Sequence, residues 1–284
     1  MNLVQVLALA VVQGFCELLP VSSSAHVIMA EKLMGLDPTA PDMTLLLVAL
    51  HTGTMFAVIA YFWRDWKGTY FSSAASFRRN AWNVVFATAA TGAVGLALLK
   101  LLPFVLGASG DTFEVEQLFG QPRLIAGALA AAGILIAASG LLTRARPGQP
   151  GFGAGASLSI GLVQGLCLPF RGFSRSGATI STGLLLGVSR QKAEEFSFAL
   201  AVVLTPPVIA REVHRFLKAN AAAGLDSSHW LQLAWPSLAG MALSFLAGLL
   251  ALRWLSRWLE HGRWHLFGCY CIAASVAVLT ILHP

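Results

Sequence analysis

Hydrophobic residues in this chain form long unbroken runs rather than the alternating pattern typical of strands. Six runs are long enough to cross a bilayer, since about 20 apolar residues in a helix span the hydrocarbon core. They cover about 44–63, 81–103, 123–142, 194–213, 233–252 and 264–282. Only helices and closed barrels satisfy their backbone in lipid, and barrel strands would alternate. The pattern therefore predicts an all-α polytopic membrane protein with six transmembrane helices.

Two further apolar stretches, 1–34 and 153–188, are interrupted by proline, serine and charged residues. Each is too broken for one spanning helix and suits a pair of short helices that enter the membrane and turn back. Non-helical backbone at membrane depth is tolerated only where it lines a protein cavity. We therefore predict two re-entrant helical hairpins whose breaks meet near the membrane midplane.

The two interrupted stretches share a local pattern. Gln-Gly-x-Cys occurs at 13–16 and again at 164–167, about 150 residues later. This repetition predicts a single membrane domain, residues 1–284, made of a first repeat, 1–143, and a second repeat, 153–284. Repeats with broken helices bring the half-helix N-termini together near the midplane, an arrangement known from transporters.

Loop charges predict the orientation of the repeats. The loops 64–80 and 143–152 are rich in arginine, whereas the loop 104–122 between them carries acidic residues and neither Lys nor Arg. Because Lys and Arg collect on the cytoplasmic side, the first hairpin is expected to enter from outside and the second from inside. The result is an inverted-topology repeat.

Composition agrees with the membrane class. The chain is 56% hydrophobic and only 11% charged, whereas soluble domains carry roughly 25% charged residues. The net charge of +6 is explained by basic cytoplasmic loops, so no nucleic-acid partner is predicted.

The first break carries acid/base chemistry. Glu17 is the acidic residue set well inside an apolar segment, and burying a carboxylate costs on the order of several kcal/mol unless it is paired or metal-bound. Gln13 precedes it by one turn and shares its helix face. A structural carboxylate paired with an arginine is the alternative; metal binding or proton transfer is favoured.

The residues after Glu17 predict a helix stop and a new helix start. Pro20 ends the first helix, and the serines at 22–24 would cap the next one, whose N-terminus attracts anions. His26 follows Ser22 by four residues and Ser23 by three, so the imidazole is expected to meet one of these two hydroxyls. Ordinary capping beside a core histidine is the alternative. For His51, inside the first spanning run, a packing role is favoured over catalysis.

The second break carries anion-binding chemistry. Arginine offers a fork that matches phosphate oxygens, and glycine permits close backbone approach. Snorkelling of the arginines to lipid headgroups is the alternative. The break reads Gly172-Phe173-Ser174-Arg175-Ser176-Gly177-Ala178-Thr179, with Arg171 as a second cation before it.

At these motifs the chain resembles the undecaprenyl-diphosphate phosphatase family, the bacitracin-resistance type of bacterial membrane phosphatase. That family carries (Glu/Gln)-x-x-x-Glu, then Pro-Val-Ser-Ser-x-x-His, and later Pro-Gly-x-Ser-Arg-Ser-x-x-Thr. Residues 13–17, 20–26 and 172–179 match these motifs in order, and the resemblance covers nearly the whole chain. Two departures are Gln13, where many members have glutamate, and the Phe170-Arg171 insertion before Gly172.

The resemblance implies hydrolysis of undecaprenyl diphosphate to the monophosphate and phosphate, recycling the lipid carrier for peptidoglycan synthesis and conferring bacitracin resistance. It implies Mg²⁺ or Ca²⁺, possible homodimers, and a multi-pass protein of the bacterial inner membrane with a site facing the periplasm. The catalytic residues it implies are Glu17, Ser23, His26 and Arg175, with Glu17 as metal ligand. The substrate-binding residues are Gln13, Ser22, Arg171, Ser174, Ser176 and Thr179.

The nucleophile and the class of activity leave alternatives. Ser23 activated by His26 is the favoured nucleophile, with His26 itself as the alternative. An apolar groove between the repeats would hold the polyprenyl tail. A polyprenyl-phosphate flippase on the same scaffold is the competing function, although binding alone needs no buried acid/base pair. A second lipid phosphatase superfamily fits less well, because no histidine follows Arg175 at the needed spacing.

Overall fold

The computed structural model describes residues 1–37, 41–105, 121–144, 148, 152–223 and 227–282, and the described residues form ten α-helices. In chain order these are α1 (Leu3–Leu18), α2 (Ser23–Leu33), α3 (Pro41–Tyr70), α4 (Ala74–Val105), α5 (Pro122–Leu142), α6 (Ala154–Cys167), α7 (Arg175–Leu185), α8 (Arg190–Ala223), α9 (Ser227–Glu260) and α10 (Trp264–Leu282). Helices α3, α4, α5, α8, α9 and α10 are long and apolar enough to cross a membrane. They contain the six predicted runs, so the all-α polytopic class is confirmed.

Both interrupted stretches are broken where the sequence predicts. Helix α1 ends at Leu18 and α2 begins at Ser23, while α6 ends at Cys167 and α7 begins at Arg175. Each helix has 11–16 residues, fewer than the roughly 20 needed to span. Re-entry of the two stretches from opposite sides of the membrane stays a prediction. The orientation was predicted from loop charges, and two parts of those loops lie outside the described residues: Arg146 and the acidic residues of 106–120.

Small residues let each hairpin approach a long helix. A Cβ on Gly14 would come within 2.5 Å of Ala247 on α9, and one on Gly165 within 2.5 Å of Val94 on α4. Such close helix packing is how small residues act within membranes. Gly14 and Gly165 hold matching places in the Gln-Gly-x-Cys motif, so α1 and α6 each pack closely on a long helix through the same glycine of the motif.

The two breaks contact each other. The Gly172 amide donates to Ser24 Oγ at 3.4 Å, and Ser176 Oγ donates to the Leu19 carbonyl at 3.4 Å. These bonds join residues about 150 positions apart in sequence. The breaks of the two repeats therefore form one polar centre.

A buried hydrogen-bond cluster fixes α7 beneath this centre. The indole N–H of Trp264 lies 3.2 Å from Ser139 Oγ and 3.1 Å from Ser181 Oγ, and the two hydroxyls are 2.9 Å apart. All three side chains are buried. The cluster ties α7 to α5 and α10, so the helix that starts at Arg175 has a fixed position.

Gly172 provides a test of how tightly the breaks fit. It has φ +100°, and a Cβ there would overlap the Ile125 carbonyl oxygen, whereas Gly187 has φ +80° with open space around it. Alanine at either site meets a left-handed backbone penalty of about 1–2 kcal/mol, but only Gly172→Ala also clashes. Gly172→Ala should therefore lower the thermal unfolding midpoint in detergent more than Gly187→Ala. Equal shifts would contradict the close fit.

Candidate active site

A cavity of about 260 Å³ lies between the two breaks. Its polar lining comes from both breaks: Glu17, Ser22, Ser23 and Ser24 from the first, and Arg171, Ser174, Arg175 and Ser176 from the second. The sequence analysis selected seven of these eight residues from separate motifs. The structure brings the two motifs to one site.

Glu17 is the centre of the first half of the site. Its Oε2 accepts a hydrogen bond from Ser23 Oγ at 2.6 Å and one from Gln13 Nε2 at 3.1 Å. Gln13 lies one turn earlier on α1, as predicted, whereas Ser23 reaches back across the break. The Glu17 carboxylate thus holds the hydroxyl of Ser23, the first residue of α2, in position.

Arg175 approaches the other oxygen of Glu17. Its Nη2 lies 3.8 Å from Glu17 Oε1, and its Nη1 donates to the Ser197 carbonyl at 3.4 Å. A charge-assisted hydrogen bond is normally about 2.7–2.9 Å long, so Arg175 and Glu17 are close but not hydrogen-bonded. The sequence analysis gave a structural ion pair with an arginine as the alternative role of Glu17. The structure contains this pair only as a loose contact within the cavity.

Two helix N-termini point into the same cavity. Ser174 caps α7 by accepting from the Gly177 amide at 3.2 Å, while Ser22 is the N-cap residue of α2 and makes no side-chain cap bond. Helix N-termini attract anions through their N–H groups and dipole. Together with Arg171 and Arg175, they make the cavity a site for a strongly negative group.

His26 does not make the expected contact with Ser23. Its Nδ1 lies 2.8 Å from the Ser22 carbonyl oxygen and its Nε2 lies 2.7 Å from Tyr270 Oη, while Ser23 bonds to Glu17. Helical side chains lean toward the N-terminus, which brings the ring over the carbonyl one turn earlier. The residues that line the cavity do not include His26.

Two predicted substrate-binding residues lie behind the cavity. Gln13 is 1% exposed and supports Glu17, as its hydrogen bond shows. Thr179 is fully buried, and its Oγ1 bonds to the Arg175 carbonyl at 2.8 Å and to Ser197 Oγ at 2.6 Å. Both residues support a residue of the cavity rather than line it, and direct contact with substrate stays a prediction for them.

His51 is closer to the site than the sequence analysis expected. Its Nε2 lies 3.8 Å from Glu17 Oε2, and its Nδ1 bonds to the Leu47 carbonyl at 2.8 Å. Helix α3 packs on α1 and so brings this residue beside the carboxylate. Ser197, which supports Arg175 from α8, was not selected from the sequence, because it belongs to no motif next to a break.

The donor set limits the kind of metal that fits. Within the described parts of the chain, no three His, Cys, Asp or Glu side chains are grouped closely enough to hold an ion. Among the described residues that line the cavity, Glu17 alone carries a carboxylate. One or two carboxylates plus substrate phosphates and water are what Mg²⁺ commonly takes, so the residues fit a hard cation that binds with substrate.

Fold and site together define a multi-pass helical membrane protein with a carboxylate and an anion-binding half in one cavity. Residues 6–277 match the family described as "Bacitracin resistance protein BacA", and the chain belongs to that family.

Named relatives align over almost the full length. "Undecaprenyl-diphosphatase 2" of Acinetobacter baylyi is 61% identical over 99% of this chain and 98% of its own. "Undecaprenyl-diphosphatase" of Korarchaeum cryptofilum is 31% identical over 99% of this chain and 100% of its own. "Undecaprenyl-diphosphatase 2" of Burkholderia orbicola is 34% identical over 97% of this chain and 96% of its own.

Proposed function

We propose that this protein hydrolyses undecaprenyl diphosphate to undecaprenyl phosphate and inorganic phosphate, recycling the lipid carrier for peptidoglycan synthesis and conferring bacitracin resistance. The observation that carries the proposal is the 2.6 Å hydrogen bond from Ser23 to Glu17, placed opposite Arg175 in one cavity. A binding site alone needs no such hydroxyl–carboxylate pair. The 61% identical relative is named for this activity.

The second half of the site binds the diphosphate. Arg171 and Arg175 supply positive charge, and the N-termini of α2 and α7 supply amides. Preorganised donors of this kind stabilise the charge that develops as phosphorus is attacked. The side chains of Ser174 and Ser176 line the same cavity, and an apolar groove between the repeats for the polyprenyl tail stays a prediction from the sequence.

Ser23 is the nucleophile in this proposal. Its Oγ attacks the terminal phosphorus, its proton passes to Glu17 Oε2, and the bridging P–O bond breaks to release the lipid monophosphate. Water then attacks the phosphoserine, Glu17 returns its proton to the departing Ser23 Oγ, and both hydrogens of the water leave with the phosphate. The free carboxylate and the serine are restored. Arg175 holds the terminal phosphate throughout.

Glu17 is also the residue that would hold Mg²⁺ or Ca²⁺. When bound, such an ion neutralises phosphate charge and polarises the phosphoryl oxygen. We place the protein in the bacterial inner membrane with its site open to the periplasm. The inverted-repeat orientation predicted from loop charge supports that placement. A homodimer stays a prediction from the family resemblance.

Phosphate release by purified protein in detergent tests the proposal against the flippase alternative. The proposal predicts multiple turnovers of a long-chain prenyl diphosphate, with loss of activity in chelator and recovery with Mg²⁺ or Ca²⁺. A flippase without hydrolase activity would bind the same lipid and release no phosphate.

Glu17→Gln tests the carboxylate as base and metal ligand. The amide keeps size and hydrogen bonding but cannot take the Ser23 proton, so turnover should fall about 100-fold or more. Glu194→Gln is the control, because Glu194 is buried and, like Glu17, accepts a hydrogen bond of 2.6 Å from a serine, here Ser256, yet lies outside the cavity lining. The control should keep near-normal turnover; a Glu17→Gln variant that did so as well would remove Glu17 from catalysis.

Arg175→Lys tests the guanidinium fork. Lysine provides one nitrogen and cannot contact both the Ser197 carbonyl and a phosphate bidentately. We expect a loss of about 10-fold or more in kcat/KM for Arg175→Lys and a smaller loss for Arg171→Lys, whose side chain is exposed. Phosphate-release kinetics of both variants measure this. Comparable turnover of Arg175→Lys and wild type would show that a point charge suffices.

A further inference from the structure

The turn before Ser23 has an unusual backbone. Ser22 has φ +67° and ψ +95°, and it is the one non-glycine residue with positive φ in the described ranges. A side chain disfavours this region, and such a conformation persists only where surrounding contacts impose it. Because Ser22 directly precedes Ser23, its conformation decides where the Ser23 hydroxyl points.

The imidazole of His26 holds this turn. Its Nδ1 lies 2.8 Å from the Ser22 carbonyl oxygen, while the His26 backbone amide reaches the same oxygen only at 3.4 Å. A carbonyl can only accept, so Nδ1 carries a proton. The ring is therefore the closer of the two donors that fix the Ser22 carbonyl.

Tyr270 on α10 holds the ring in turn. With the proton on Nδ1, a neutral ring has an acceptor at Nε2, which receives the Tyr270 hydroxyl at 2.7 Å. The two rings also stack, with centroids 5.6 Å apart and planes at 15°. Helix α10 contacts the turn again where Cys271 Sγ donates to the Pro20 carbonyl at 3.2 Å.

We infer that His26 is a positioning residue, locked by Tyr270, that keeps Ser22 in its left-handed conformation and so directs Ser23 onto Glu17. Both ring nitrogens are engaged away from Ser23, whose hydroxyl already has Glu17 as acceptor. The inference rests on the proposed function for the role of Ser23. It assigns α10 of the second repeat to the catalytic geometry of the first.

Substitutions at His26 separate positioning from proton transfer. Asparagine keeps an N–H donor near the place of Nδ1 but cannot accept the Ser23 proton at neutral pH. His26→Asn should therefore retain kcat within about 10-fold of wild type, whereas loss of a general base costs about 10²- to 10⁴-fold. His26→Ala should lose more than His26→Asn. Tyr270→Phe should lower kcat several-fold with KM unchanged, because its ring still stacks but no longer donates.

Ser22→Gly is the decisive rescue. Glycine adopts positive φ freely, so at position 22 it does not need the hydrogen bond from His26 to hold that conformation. His26→Ala should lower the thermal unfolding midpoint in detergent, and Ser22→Gly added to it should restore the midpoint and part of kcat. The inference is overturned if His26→Ala melts like wild type, or if His26→Asn loses 100-fold in kcat without a change in midpoint. If wild type releases no phosphate, the proposed function fails. The unfolding midpoints alone then show whether His26 holds Ser22 in its positive-φ conformation.

Discussion

The hydrogen bond between Ser23 and Glu17 is the interaction on which the site depends. A carboxylate in an apolar hairpin is tolerated only with partners, and the nearest one comes from beyond the helix break. The break is required because a continuous α1 would carry Ser23 away from Glu17 along the helix. The positive φ of Ser22, the bonds of its carbonyl and the contact with the Gly172 turn all serve that one geometry.

In the proposed mechanism, the second break supplies positive charge and the first supplies the proton acceptor. Arg175 begins a helix whose position is fixed by the buried cluster of Trp264, Ser139 and Ser181. Its guanidinium stops 3.8 Å short of Glu17, which leaves the two charged groups loosely paired across the cavity wall. A diphosphate entering the cavity can then replace the carboxylate as the partner of the arginine. The fold thus brings the carboxylate of one break and the arginines of the other to one cavity, as the proposed mechanism requires.

Sequence was sufficient for the features set by local patterns. Six spans follow from apolar length, and both breaks follow from the proline, serine and charged residues that interrupt the stretches 1–34 and 153–188. It was insufficient where a contact depends on a turn or on a distant helix. Helical spacing favoured a Ser23–His26 contact, but the left-handed residue at 22 redirects the hydroxyl. Tyr270 lies 244 residues from His26, and no pattern near either residue indicates the pair.

A double-variant cycle on kcat/KM for phosphate release, combining Glu17→Gln with Arg175→Lys, tests most directly whether the two repeats form one catalytic site. Residues that act on one transition state as a unit show strongly non-additive losses. A shared site predicts that the double variant has nearly the same kcat/KM as the worse single variant, whereas independent sites would lower it further by the full loss of the milder variant, about 10-fold or more. Losses that multiply in full would show that the carboxylate and the guanidinium act independently, and would contradict the shared site.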